Sequence, residues 1–163
     1  MSGFIPPKTY KIITKLTPVI TCDILLESKG KYLLLKRKHF PCKGFWWTPG
    51  GRVYKNEQIR DAAHRVVKEE LGIKKINIKK FLGVFELFCS PGKFNQKDMF
   101  CITFGFLVKP IGSFKIKMDE QHSEYRFFSK PPSGSHPFVR KIFYLSKKKD
   151  YSVVMPYSFQ VRG

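Results

Sequence analysis

Two adjacent carboxylates, Glu69 and Glu70, are the side chains of this sequence best able to hold a divalent cation. On a helix, positions 66, 69 and 70 stand at i, i+3 and i+4 and share one face. Mg²⁺ and Mn²⁺ are hard cations that prefer oxygen ligands. Such a cation screens phosphate charge and helps to generate a nucleophile. Val66 occupies the third place on that face and can neither ligate nor take a proton. The pair therefore suffices for one ion if a further ligand comes from elsewhere. Taken alone, Glu69 and Glu70 would face solvent beside Arg65.

The elements that must position this pair can be read from period and punctuation. Ile59, Ala62, Ala63, Val66 and Val67 recur at helical spacing, with Asn56 as the expected N-cap, Glu57 in the first turn and Gly72 as the stop. Upstream, residues 18–27 and 31–37 are apolar and β-rich around the turn Ser28-Lys29-Gly30, which predicts a hairpin. Residues 40–51 form a loop with aromatics that ends in Pro49-Gly50-Gly51. Downstream, strands are expected over 76–88 (interrupted at Gly83), 99–108 and 125–128, with polar connections at 90–97, 111–122 and 131–137. Weak helical spacing over 138–148 closes the series. Strands, a central helix, more strands and a last helix make an α/β or α+β sandwich with a mixed β-sheet between helices. Phe85, Phe88, Phe104 and Phe106 are expected in the core, and Trp46 and Trp47 in core and loop packing.

At 163 residues and 19.0 kDa the chain is expected to form a single domain over 1–163. Hydrophobic residues make up 42%, which excludes a disordered chain. No apolar run is long enough to span a bilayer, and residues 1–15 lack the pattern of a signal peptide, so the expected location is cytoplasmic. Cys22, Cys42, Cys89 and Cys101 show neither C-x-x-C nor zinc spacing and are expected as reduced thiols. The formal net charge of +19 attracts anions, but its lysines are scattered from Lys8 to Lys149. A solvated surface therefore fits better than a nucleic-acid site.

The segment 51–73 resembles a Nudix box, matching every fixed position except Val66, where that pattern has Glu. Within that superfamily the chain resembles the GDP-mannose mannosyl hydrolases. The residues that carry this are Lys36-Arg37, the run Gly44-Phe45-Trp46-Trp47-Thr48-Pro49-Gly50-Gly51-Arg52-Val53, and Asp119-Glu120-Gln121-His122 followed by Tyr125-Arg126. That branch also lacks the Glu at the position of Val66. The resemblance implies the Nudix fold, a Mg²⁺ or Mn²⁺ cofactor, a homodimer and a small nucleotide-sugar substrate. It implies water attack at the anomeric carbon, with release of a nucleoside diphosphate and free sugar. The implied metal ligands are the Gly50 carbonyl, Glu70 and Gln121. Arg37 and Arg52 would hold the diphosphate, and His122 would be the general base. Asp23 would lie near the sugar, and Glu57 with Arg65 would brace the box.

Three departures from that branch are present. Leu87 stands where it has a His, Cys101 or Phe100 where it has a Tyr, and Glu69 where it has an apolar residue. Glu69 could restore a second metal position. The alternative activity is an ordinary pyrophosphohydrolase that attacks at phosphorus with Glu69 as base, and a non-catalytic basic module that binds nucleotides or RNA is a third reading.

Overall fold

The computed structural model describes residues 4–95, 97–149 and 157–162. Helix α1 (Pro7–Leu16) leads into β1 (Val19–Ser28) and β2 (Lys31–Arg37), then the short strands β3 (Trp46–Trp47) and β4 (Gly50–Arg52). Helix α2 (Ile59–Leu71) follows, then β5 (Ile76–Ser90), β6 (Met99–Pro110), β7 (His122–Phe128), α3 (Pro137–Lys147) and β8 (Tyr157–Arg162). The main path of the sheet runs β3-β2-β1-β6-β5-β8, with β4 on β1 and β7 on β2. Its centre is the parallel β1–β6 pair, and β5–β8 is also parallel, while the other pairs are antiparallel. This is the expected mixed sheet.

Period-2 alternation sends the central strands to two cores. Cys22, Ile24 and Leu26 of β1, with Leu33 and Leu35 of β2, pack on Ala62, Ala63, Val66 and Val67 of α2. Leu25 and Leu34 point the other way, into a cluster with Phe138, Val139 and Ile142 of α3. The sheet is thus covered by a helix on each face, and its inner strands read as continuous apolar runs for that reason. Gly72 ends α2 in the left-handed region (φ 69°) as expected of a C-cap glycine. All four cysteines are free and buried. No helix among the described residues is long and apolar enough to cross a membrane.

Several expectations need correction. Helix α2 begins two residues later than its sequence pattern indicates, with Gln58 as N-cap. Asn56 sits at φ 64° in a tight turn instead. That turn is closed on itself, because the Tyr54 amide donates to the Glu57 carboxylate at 2.8 Å and the Glu57 amide to the Tyr54 carbonyl at 3.1 Å. Phe88 is 37% exposed and lies stacked on Phe100 at 4.6 Å, outside the core. Phe85 and Phe106 are buried, and Phe104 is half-buried. Trp47 is buried against Phe138, and Trp46 meets Phe128 edge-on. Helix α1, the short strands β3 and β4, and β8 are elements that periodicity did not indicate.

Gly105 marks the tightest point of this packing. A Cβ there would stand 2.7 Å from Cε2 of Phe85, which is fully buried, and 3.4 Å from Ile142 Cδ1. Gly105→Ala is expected to destabilise the fold by about 1–3 kcal/mol, the usual cost of overpacking. Urea unfolding should show a lower midpoint with an unchanged slope.

Candidate active site

One cleft of about 1110 Å³ opens where β1, β4, α2 and the connection before β7 converge. Asp23, Arg37, Gly50, Arg52, Glu69, Glu70 and Gln121 line it, as does Asp119. His122 does not. The sheet sets the spacing. Gly50 of β4 pairs with Asp23 of β1 and Arg52 with Thr21, so the side chains of Asp23, Thr21 and Arg52 fall on one line along the strand, with the Gly50 backbone beside Asp23. Helix α2 delivers Glu70, whose Oε2 accepts the Gly50 amide at 3.2 Å. The connection before β7 rides over the end of α2. The Lys117 amide donates to the Leu71 carbonyl at 2.9 Å, and the Asp119 amide to the Glu70 carbonyl at 3.2 Å.

The bracing of α2 is ionic. Arg65 donates to Glu57 through Nε at 2.6 Å and Nη2 at 2.9 Å, and to Glu69 through Nη1 at 2.9 Å. Its Nη2 also reaches the Arg52 carbonyl at 2.8 Å, and its guanidinium lies 3.6 Å from the Tyr54 ring centre. The hydrogen bonds from Arg65 hold the Glu57 carboxyl below the usual carboxylate range, against the opposing effect of burial. Glu69 is committed to this brace and its side chain is 52% exposed.

The acids inside the cleft behave differently. Glu70 is buried, and burial followed by the negative charge of Asp119 pushes its pKa up to about 8. Asp23 is raised to about 6 by burial, partly offset by hydrogen bonds from Thr48 Oγ1 (2.5 Å) and Trp47 Nε1 (3.2 Å) and by the charge of Arg37. Gly50 must be glycine here, since a Cβ would stand 2.7 Å from Asp23 Oδ1.

Asp119 joins the remaining residues. Its carboxylate pairs with His122 Nδ1 at 2.6 Å, and it accepts the Gln121 amide and the Gln121 side-chain Nε2 at 3.2 Å each. Gln121 faces solvent at the rim, while His122 is 2% exposed. Burial holds the imidazole below its usual pKa, against the pull of Asp119, so the ring is neutral at physiological pH. With Nδ1–H donated to the carboxylate, Nε2 carries the lone pair. Among the described residues it is the buried side-chain nitrogen or oxygen that lacks a hydrogen-bond partner.

Glu70, Asp119 and His122 each bring a ligand atom within 4.8 Å of the others. Two carboxylates this close at low dielectric repel, as the raised Glu70 shows, and a hard divalent cation between them would restore the charged forms. The carboxylates of Glu70 and Asp119 fit such an ion, whereas Nδ1 of His122 is already engaged by Asp119. Asp119 was quoted in the sequence pattern without a role. Its signal was a carboxylate three residues before a His, joined to the helix end by backbone pairing that no local pattern shows. The positions where the branch has His and Tyr form an apolar wall instead, with Leu87 paired to Cys101 across β5 and β6 and both lining the cleft.

A family model described as NUDIX domain matches residues 16–131. The low-salt glycan biosynthesis protein Agl8 of Haloferax volcanii is 33% identical over 137 residues, which cover 84% of this chain and 87% of that one. An ADP-ribose pyrophosphatase of Methanocaldococcus jannaschii is 33% identical over 121 residues, 74% of this chain and 66% of that one. Among solved structures, a MutT NUDIX hydrolase from Burkholderia pseudomallei superposes with a TM-score of 0.62 over 79% of this chain and 98% of that one, at 24% identity.

The Glu57–Arg65 brace has a pH signature. A depressed folded-state pKa contributes stability above the unfolded carboxylate pKa and loses it as pH falls through the folded value. Glu57→Gln is expected to cost about 1–3 kcal/mol at neutral pH, as for hydrogen bonds to a charged group. Urea melts of the two proteins should converge in acid below the carboxylate range. A gap that persists there would mean that packing, not charge, holds the brace.

Proposed function

The chain belongs to the NUDIX family, and on that footing we propose that it is a Mg²⁺- or Mn²⁺-dependent hydrolase of nucleoside diphosphate sugars, GDP-mannose or a related hexose, that sends water to the anomeric carbon. The observation that carries this reading is Val66. It stands on the cleft side of α2 against Gly51, where a side-chain Cγ would meet a glycine Cβ at 3.0 Å, and it offers no base for attack at phosphorus. The neighbouring carboxylate, Glu69, is held by Arg65.

In this reading the Gly50 carbonyl, Glu70 and Gln121 hold the cation, with Asp119 and Glu69 within the same cleft. When bound, the cation supplies charge compensation for the diphosphate as it leaves. Arg37 is fixed by donating Nε to the Pro41 carbonyl at 2.7 Å, and with Arg52 it stabilises the same leaving group. Asp23 lies at the buried end, where its carboxylate can face the positive charge that grows on the sugar. His122 takes the proton from water. Its tautomer suits that task, and its burial requires the segment 119–122 to shift before Nε2 meets the cleft. A cytoplasmic homodimer completes the reading.

A second reading, attack at phosphorus, is favoured by that same burial. His122 is covered, whereas the carboxylates of Asp23, Glu69 and Asp119 already line the cleft. The name of the Methanocaldococcus relative describes a pyrophosphatase.

Incubation with GDP-mannose and Mg²⁺ in ¹⁸O-labelled water separates the two. Label in free mannose, with GDP as co-product, is the expected result. Label in GMP or mannose 1-phosphate would place the attack at phosphorus. His122→Gln is expected to lower kcat by roughly a hundredfold to ten-thousandfold, the range for a lost general base, while Mn²⁺ binding persists. Glu70→Gln should instead weaken Mn²⁺ by more than the roughly tenfold to hundredfold typical of changes outside the ligand shell, read by titration without substrate.

A further inference from the structure

We propose that Tyr10 of α1, with Lys93 and Phe94 after β5, forms a nucleobase platform at one end of the cleft, its two aromatic rings packed edge-to-face and Lys93 placed where the base meets the diphosphate. This rests on the reading of a nucleoside diphosphate-linked substrate and adds its binding subsite.

Strand register gives the order of groups along the cleft. Gly50 is opposite Asp23, and Arg52 is opposite Thr21, two residues nearer the start of β1. Two residues of strand correspond to about 7 Å. Continuing the same way, Val19 pairs with Cys101 of β6, and α1 lies beyond it. Tyr10 of α1 is found there. The Arg52 guanidinium lies 5.6 Å from its ring centre and 5.0 Å from that of Tyr54. Seen from Glu70 and Gly50, the cleft therefore passes first the arginine assigned to the diphosphate and then an aromatic surface.

That surface is built from two elements. Tyr10 and Phe94 meet edge-to-face at 5.7 Å and 73°, and both line the cleft. Lys93 sets its Nζ 5.3 Å from the Tyr10 ring centre, on a ring that also carries Arg52. Its ammonium is held below the usual lysine pKa by desolvation, then by the positive charges of Arg37 and Arg52. Arg37, Arg52 and Lys93 repel one another across this part of the cleft and call for a polyanion, which the phosphates supply. The group attached to the far phosphate then falls on Tyr10 and Phe94. A planar base gains from a ring face, whereas a hexose needs hydrogen-bonding partners of the kind found around Asp23 at the other end. The ligand class at α1 is therefore a purine or pyrimidine base, taken by its flat face.

The test is calorimetric binding of GDP, inorganic pyrophosphate and mannose 1-phosphate, each with Mg²⁺, to the wild type and to Tyr10→Leu, Tyr10→Phe and Phe94→Leu. Tyr10→Leu and Phe94→Leu should each bind GDP about tenfold more weakly, the scale of one lost base stack. Pyrophosphate affinity should be unchanged in Phe94→Leu, and Tyr10→Phe should bind GDP like the wild type. Thermal melts identify a variant that has lost its fold, and the other leucine variant then decides. Unchanged GDP affinity in the folded leucine variants overturns the platform. So does a parallel loss of pyrophosphate in Phe94→Leu, or a loss confined to mannose 1-phosphate. Turnover is not read, so a protein that binds GDP as stated but hydrolyses no nucleotide sugar would sink the hydrolase reading and leave the platform standing.

Discussion

The site depends on one guanidinium. Arg65 leaves α2 and spends its donors on Glu57, Glu69 and the Arg52 carbonyl, while its flat face covers Tyr54. Those contacts tie the turn before the helix, the strand before the turn and the helix itself into one unit. Glu70 is the next residue after Glu69, so the angle at which it enters the cleft follows from the Arg65 brace. A planar fork with a fixed set of donors can satisfy several acceptors at once, and a lysine ammonium in its place could not span them. The half-buried position keeps water from competing for the pair.

Much of this was legible because it is local. The stripe from Ala62 to Val67 shows which side of α2 is buried, and Gly72 shows where the helix must end. Both cues are periodicity or backbone chemistry carried by neighbouring residues. The N-terminal boundary was misread because Asn56 looks like a cap, whereas Glu57 folds back on the Tyr54 amide and closes a turn ahead of the helix. Strands β3 and β4 are too short for any pattern and exist because β2 and β1 offer them partners. Helix α1 buries one threonine and half-buries Tyr10 and Ile13, so its inward face is too narrow to stand out among lysines and prolines. The Asp-Glu-Gln-His motif was visible, yet which way each side chain turns was not. Gln121, in the turn before β7, faces out and His122, the first residue of β7, faces in, and Asp119 bonds to both.

The electrostatic design is a contrast between surroundings and site. A chain of net charge +19 gathers its anionic partners from a distance, but its buried acids gain little from that field. Glu70 and Asp23 sit where water has been removed faster than positive charge has been supplied, and both are pushed toward protonation. A cation on the acid side and phosphates on the arginine side relieve opposite strains at the same time, so each would favour the binding of the other. Such coupling would be positive cooperativity of electrostatic origin.

The parallel pairing of β1 with β6 also bears on how the molecule assembles. Thr21 and Thr103 meet at the centre of the sheet, 82 residues apart in the chain. Such contacts must close a long loop before any stabilisation returns, and topologies dominated by them acquire their structure slowly. The hairpin of β1 and β2 and helix α2 can form early from local signals. The second group of site residues, Asp119 to His122, reaches the first only through the pairing of β7 with β2 and of its preceding segment with the end of α2. A nascent or partly folded chain therefore holds Gly50 and Glu70 without Asp119, Gln121 and His122 beside them. Competence to bind the proposed metal would then arrive with the last long-range contacts, which would make cation affinity a reporter of completed folding in this chain.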